Sequence, residues 1–251
     1  MELMRFVEAR KAGVKDAIFV EGLPGVGNVG KLAAQHLVDA LGAELWCDIF
    51  SHDFPPQVTI QTDGTVRLVR NQLWTVPAQG DAPALVVLTG DYQPLSSPGQ
   101  FALVEGVLDR IQPLGCPRMY TLGGYGLGTN IETPDVLGAA TDVKTVKRLT
   151  KLGVKFQEDE PGGGIIGASG LFLGLGMERG IQGACLMGET SGYMVDPAAA
   201  RAVLTVLESL LGRAIDMTDI EAKARELDKI TQQLHEAEVA AREPGDLHYI
   251  G

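Results

Sequence analysis

The chain has 251 residues, 45% apolar and 21% charged, which is long enough to bury a full core and ordinary for a globular protein. A formal net charge of −11 excludes nonspecific attachment to nucleic acid or to anionic membranes, since both demand a basic surface. The longest apolar stretch, 165–177, is too short and glycine-rich to span a bilayer, and Glu2, Arg5, Glu8 and Arg10 precede any apolar run, so neither a membrane span nor a signal peptide is expected.

Taken in chain order, the first legible element is the apolar run Ala17–Val20, a strand. It leads into Gly22-Leu23-Pro24-Gly25-Val26-Gly27-Asn28-Val29-Gly30-Lys31, a glycine turn. Val29, Leu32, Ala33, His36, Leu37, Ala40 and Leu41 recur at steps of three and four, so the turn opens into a helix that Gly42 ends. His36 lies on the apolar face and is expected in the core or an interface. Residues 45–50 read as a second strand. The Asp63-Gly64 pair between 58–60 and 66–69 predicts a hairpin, which 73–76 extends into a mixed sheet.

Ala84–Thr89 is an unbroken apolar, β-rich run, a strand buried on both faces. Ser97 and Pro98 signal the start of a helix whose stripe is read as Phe101, Val104, Leu108 and Ile111, with Gly115 as its end. Strands follow at 119–122, running into Gly123-Gly124-Tyr125, and at 136–140. Val143, Val146, Leu149 and Leu152 mark a helix with a basic exposed side. Residues 158–164 form an acidic turn, 165–176 a buried glycine-rich helix and 184–190 another strand. Asp196 and Pro197 open a helix through Leu211 that Gly212 stops. From Thr218 a thin stripe of Ile220, Ala224, Leu227, Thr231, Leu234 and Ala241, with Asp219–Lys223 and Glu221–Arg225 spaced for ion pairs, predicts a projecting helix.

The glycine turn fits two anion-binding patterns. Gly25 through Lys31 satisfies the first part of the P-loop, but Leu32 replaces the Ser or Thr that would hold magnesium. Gly25, Gly27 and Gly30 satisfy the dinucleotide fingerprint, with Asp48 near the spacing of a ribose-binding acid. The alternative is that these glycines only let a strand-to-helix crossover pack closely, and both readings stay open. Elsewhere chemistry is sparse. His52-Asp53 is half of an acid–base pair at best, Glu189 suits capping or ion pairing, and Asp91 suits a turn. Cys47, Cys116 and Cys185 are widely spaced in apolar contexts and read as buried free thiols, which fits a reducing cytoplasm. No catalytic residue, metal site or cofactor is expected.

Four ordered motifs, Gly22–Lys31, Gly123-Gly124-Tyr125, Gly163–Leu171 and Ala184–Tyr193, together resemble the PAC2 family, archaeal and bacterial relatives of eukaryotic proteasome assembly chaperone 2. The resemblance covers nearly all of 15–215. It implies a three-layer α/β/α fold like that of purine nucleoside phosphorylases, with a mixed, mainly parallel sheet. It also implies a cytoplasmic homo-oligomer, a non-catalytic role and proteasome α subunits as partners. The domain reading is a PAC2-like α/β domain over 1–215, an amphipathic helix over 216–242 and a flexible tail over 243–251. Family members that act on proteasomes dock a C-terminal hydrophobic-tyrosine-any ending between α subunits. Here Leu247, His248, Tyr249, Ile250 and Gly251 form the corresponding partner-binding segment, with the tyrosine third from the end and His248 before it. The rival from another class is a small-molecule or nucleotide-binding enzyme built on Gly25, Gly27, Asn28, Gly30 and Lys31.

Overall fold

The computed structural model describes residues 3–129, 131–156, 163–227 and 229. In the first of these segments, β1 (Met4–Glu8) is an element that sequence patterning did not reveal. It pairs antiparallel with β3 (Glu44–Ser51) along the outer edge of the sheet. Between them, β2 (Ile18–Glu21) feeds the glycine turn and α1 (Val29–Ala40), with Gly42 in the left-handed region just beyond.

The predicted hairpin forms as β4 (Val58–Ile60) and β5 (Val66–Leu68), but as a separate two-stranded sheet. The chain then returns through β6 (Asn71–Val76) and β7 (Leu85–Gly90), α2 (Ser97–Ile111), β8 (Arg118–Gly126), β9 (Val136–Ala140) and α3 (Val143–Thr150). After α4 (Ala168–Glu178) come β10 (Gln182–Thr190) and α5 (Pro197–Leu211). The main sheet has eight strands in the order β1-β3-β6-β7-β2-β8-β10-β9. Pairing is parallel only within β7-β2-β8-β10, and the four outer pairings are antiparallel. The sheet is therefore mixed as expected, but it is not mainly parallel: three pairings at the centre are parallel and the four that flank them are antiparallel. At the centre the strands must be joined by crossover helices, whereas the flanks are built from meanders.

Alternation along the central strands supplies both faces with core. Ile18 and Val20 of β2, with Leu85 and Val87 of β7, point to the layer of α1 and α5. Phe19, Val86 and Leu88 point to that of α2 and α4. The Phe19 and Phe172 rings meet at 5.1 Å between centroids, which pins α4 to the middle of the sheet. This is the three-layer arrangement expected.

Local differences have local causes. Ser96, not Ser97, caps α2: its backbone N–H donates to Asp53 Oδ2 at 2.7 Å, and its hydroxyl accepts from the Gly99 N–H at 3.1 Å. The buried stripe of α2 runs through Leu103, Val104, Val107, Leu108 and Ile111, so the predicted Phe101 lies outside it, on the exposed side. The glycine-rich helix starts at Ala168 and not at Ile165, because Gly167 has φ +92 and Ile166 stands in solvent. On α3 only Leu149 is buried and Val143 is exposed.

Residues 218–227 are helical, and the root of this helix is packed, not projecting: Ile220 is fully buried and belongs to the same core as α1 and α5. Glu221 pairs with Arg201 of α5 at 3.1 Å in place of the predicted Arg225. His36 is buried as expected, its Nε2 lying 2.7 Å from the Asp216 carbonyl oxygen. All three cysteines are buried and free, and burial pushes their thiols up, Cys47 to about 11 and Cys116 and Cys185 to about 12.

Candidate functional site

The carboxyl ends of the parallel strands β7, β2, β8 and β10 gather the glycine turn, the Gln93 loop, the start of α4 and the loop after Thr190. This is where open α/β sheets usually bind ligands. Of the predicted loop residues, Gly25, Gly27, Asn28, Gly30 and Lys31 are brought together here, but packing accounts for most of them. A Cβ at Gly30 would lie 2.1 Å from the Leu122 carbonyl oxygen, and one at Gly22 would lie 2.2 Å from that of Gly30. Gly27 has φ +59, and its added Cβ would meet Thr190 Oγ1 at 2.8 Å. From the other side, a Cβ at Gly124 would strike the Val26 carbonyl oxygen at 2.3 Å, so β8 and the turn need glycine on both surfaces. Asn28 takes a left-handed conformation at φ 50, which asparagine tolerates better than most residues. Gly25 is the exception: its nearest neighbour would be Gln93 Nε2 at 3.9 Å.

Lys31 is half-buried and lies on the side of Asp91. Burial pushes the Asp91 carboxyl up, but bonds from the Arg67 guanidinium and the Arg70 N–H outweigh it and hold the group below its ordinary value, with Lys31 adding to the pull. Asp48 does not reach the turn. It sits on β3, three places from β2 in the sheet, and accepts from Arg70 Nη1 at 3.0 Å and Gln72 Nε2 at 2.8 Å. A ribose-binding role for Asp48 is thereby lost to an ion pair. Asp53 is likewise occupied at the start of α2. Glu189 accepts from the Asp135 N–H at 3.2 Å, the structural use expected of it. Leu247, His248, Tyr249, Ile250 and Gly251 lie outside the described residues, as does most of the range 216–242 for which an amphipathic helix is expected.

Sequence reasoning missed Glu21. At the last position of β2 this carboxyl is fully buried, accepting from the Leu23 N–H at 3.0 Å and from Ser169 Oγ at 2.8 Å. Burial raises it to about 7, with the Ser169 and Leu23 bonds pulling the other way. Gln93 completes the link. Its Nε2 donates to the Pro24 carbonyl at 2.8 Å and its Oε1 accepts from the Ala168 N–H at 3.0 Å. The glycine turn, the Gln93 loop and the first turn of α4 are thus one bonded unit. No periodicity could reveal contacts between partners 148 and 75 residues apart.

Around this unit the surface is apolar. Val26, Leu127, Tyr193, Met194 and Val195 are all exposed, Tyr193 at 81%, and Val26 Cγ1 reaches towards Gly126 and Gly192. The hairpin is more unusual. Val58 faces Leu68 and Ile60 faces Val66 across the pair, so all four share one face, and that face points to solvent with Ile60 at 75% exposure. The opposite, polar face with Thr59 and Arg67 turns inward, where Arg67 grips Asp91.

Among the described residues, one cavity of about 200 Å³ lies beside Tyr125, Leu137 and Met187, and another of about 100 Å³ beside Arg118 and Lys144. Neither is lined by the glycine turn, and both are below the roughly 300–1,000 Å³ of a usual organic-ligand site. Among the described residues no group of His, Cys, Asp and Glu could hold a metal ion, and no helix is long and apolar enough to cross a membrane.

The sequence profile of the PAC2 family matches residues 19–235. An uncharacterized protein of Methanocaldococcus jannaschii is 39% identical over 246 residues, covering 95% of this chain and 93% of its own. Among solved structures, Pyrococcus furiosus PbaB, described as an archaeal proteasome activator, superposes with a TM-score of 0.88 at 36% identity, covering 94% of this chain and 100% of that one. Pyrococcus furiosus PbaA, described as an archaeal homolog of proteasome-assembly chaperone, gives 0.77 at 27% identity, with 96% and 94% covered.

Proposed function

This chain belongs to the PAC2 family, and from that premise we propose that it is a non-catalytic, self-associating protein that binds proteasome α subunits through its C-terminal region. The observation that carries the self-association is the turned-out hairpin. A two-stranded sheet is marginal alone, and one that hides its polar face and shows Val58, Ile60, Val66 and Leu68 to water gains stability only when something covers it. A second copy of the chain is the occupant we assign, because the hairpin also exposes strand edges that can pair with a like hairpin.

Support for the C-terminal contact comes from Ile220 and Glu221. They fasten the base of the last helix to α5 at a fixed point. Several copies displayed on one oligomer would make weak docking by Leu247–Gly251 effective through avidity. The greater similarity to PbaB than to PbaA favours action on an assembled proteasome over action on free subunits.

The test mixes the full-length protein, and a version ending at Ala241, with isolated α subunits and with assembled proteasome. Binding by the full chain alone is expected, and tighter to the assembled particle. Equal binding by both versions removes the tail from the mechanism, and binding by neither removes the proteasome.

A further inference from the structure

At the opposite end of the sheet from the glycine turn, the cavity of about 100 Å³ is basic in an otherwise acidic protein. Arg118 and Gln182 are the first residues of β8 and β10 and are partners in register, so they stand side by side on its rim. Lys144 and Arg148 line it from α3, one turn apart, a spacing at which like charges repel. None of these three cations forms an ion pair among the described residues. Asp142, the nearby acid, is committed to capping α3 and accepts from the Thr145 N–H at 2.8 Å and hydroxyl at 2.6 Å.

Two further contacts give the cavity the form of a built site. Arg148 Nη2 donates to the Leu210 carbonyl at 3.4 Å, which steadies its guanidinium against α5. Tyr120 lines the cavity from the core side at 2% exposure, and its hydroxyl makes no hydrogen bond with another described residue. The ring is buried while the hydroxyl keeps access to the cavity, so it is a donor that a ligand there can use.

We propose that this cavity binds a small tetrahedral oxyanion, either inorganic phosphate or the phosphoryl group of a larger molecule. Two guanidinium forks and an ammonium match three oxygens of such a group, with the Tyr120 hydroxyl and the Gln182 amide as further donors. The volume admits a small ion and leaves the remainder of any larger molecule outside. The proposal is independent of proteasome binding, since it uses the opposite end of the sheet.

The experiment titrates the full-length protein by calorimetry with inorganic phosphate in one arm and a nucleoside monophosphate in the other, at ionic strength matched with chloride. Arg118→Gln, Arg148→Gln and Tyr120→Phe are measured alongside, each checked for an unchanged melting temperature. Saturable binding is expected, weakened about tenfold by either arginine change through loss of a charged hydrogen bond. Tyr120→Phe should weaken it less. The arm with the lower Kd identifies the source of the phosphoryl group. Heats that do not saturate in either arm, or a Kd unmoved by both arginine variants, would overturn the site.

Discussion

The Ser169 hydroxyl lies 2.8 Å from Glu21 Oε2, so the first turn of α4 is fastened to the carboxyl end of β2 through a fully buried acid. Such a contact is sensitive to protonation. Burial holds Glu21 at about 7 in the folded chain against 4.5 ordinarily, so the folded state binds the proton more tightly than the unfolded one. Its contribution to stability is full below 4.5, declines between 4.5 and about 7, and is gone above. Glu21→Gln should flatten the dependence of melting temperature on pH across that window and make the protein more stable than wild type at pH near 8. A wild-type profile that is already flat there would show that Glu21 stays ionised.

If the glycine turn is a packing device, its glycines differ in sensitivity according to what stands opposite. Gly30→Ala drives a methyl to 2.1 Å from the Leu122 carbonyl oxygen and should cost about 3 kcal/mol or more. Gly25→Ala meets only Gln93 Nε2 at 3.9 Å and should stay within about 0.5 kcal/mol. Urea unfolding of both variants gives the comparison, and similar losses would mean that something other than packing constrains the loop.

The outward hairpin face predicts that Ile60→Glu lowers the mass measured by light scattering and leaves the melting temperature of the isolated subunit unchanged. Ile60 is 75% exposed, so the subunit loses no core contact by the change. An oligomer of undiminished mass would place self-association elsewhere, with the apolar rim around Tyr193 the next surface to alter.

Ile220 is completely buried, and Ile220→Ala should destabilise by about 2–4 kcal/mol, with chemical denaturation as the measure. A loss below about 0.5 kcal/mol would mean that the last helix is held by Arg201–Glu221 and not by its buried side chain.

The same residue shows what sequence could and could not tell. Its place on an apolar stripe was legible, yet the stripe is thin, and only the neighbouring α5 and α1 decide that its first position is core. The central strands were legible because their apolar runs need no partner to be recognised, and the hairpin because Asp63-Gly64 encodes its own turn. Which face of that hairpin would meet water was not legible, since alternation is symmetric and the choice was made by Asp91 drawing Arg67 inward. The glycine turn was recognised as a motif, but its two anion-binding readings could be weighed only once Leu122, Thr190 and Val26 stood against it. Glu21 was hidden for a similar reason: at the end of a strand it looks like any terminal acid until Ser169 arrives from 148 residues away.

Cys47, Cys116 and Cys185 occupy the interior with their thiols held in the unreactive form. An alkylating probe added to the native protein therefore finds nothing to modify until the layers part. Each captured sulfur then counts one opening event, and because Cys47 on β3 and Cys185 on β10 lie toward opposite margins of the sheet, the order in which they are captured reports which margin comes loose first.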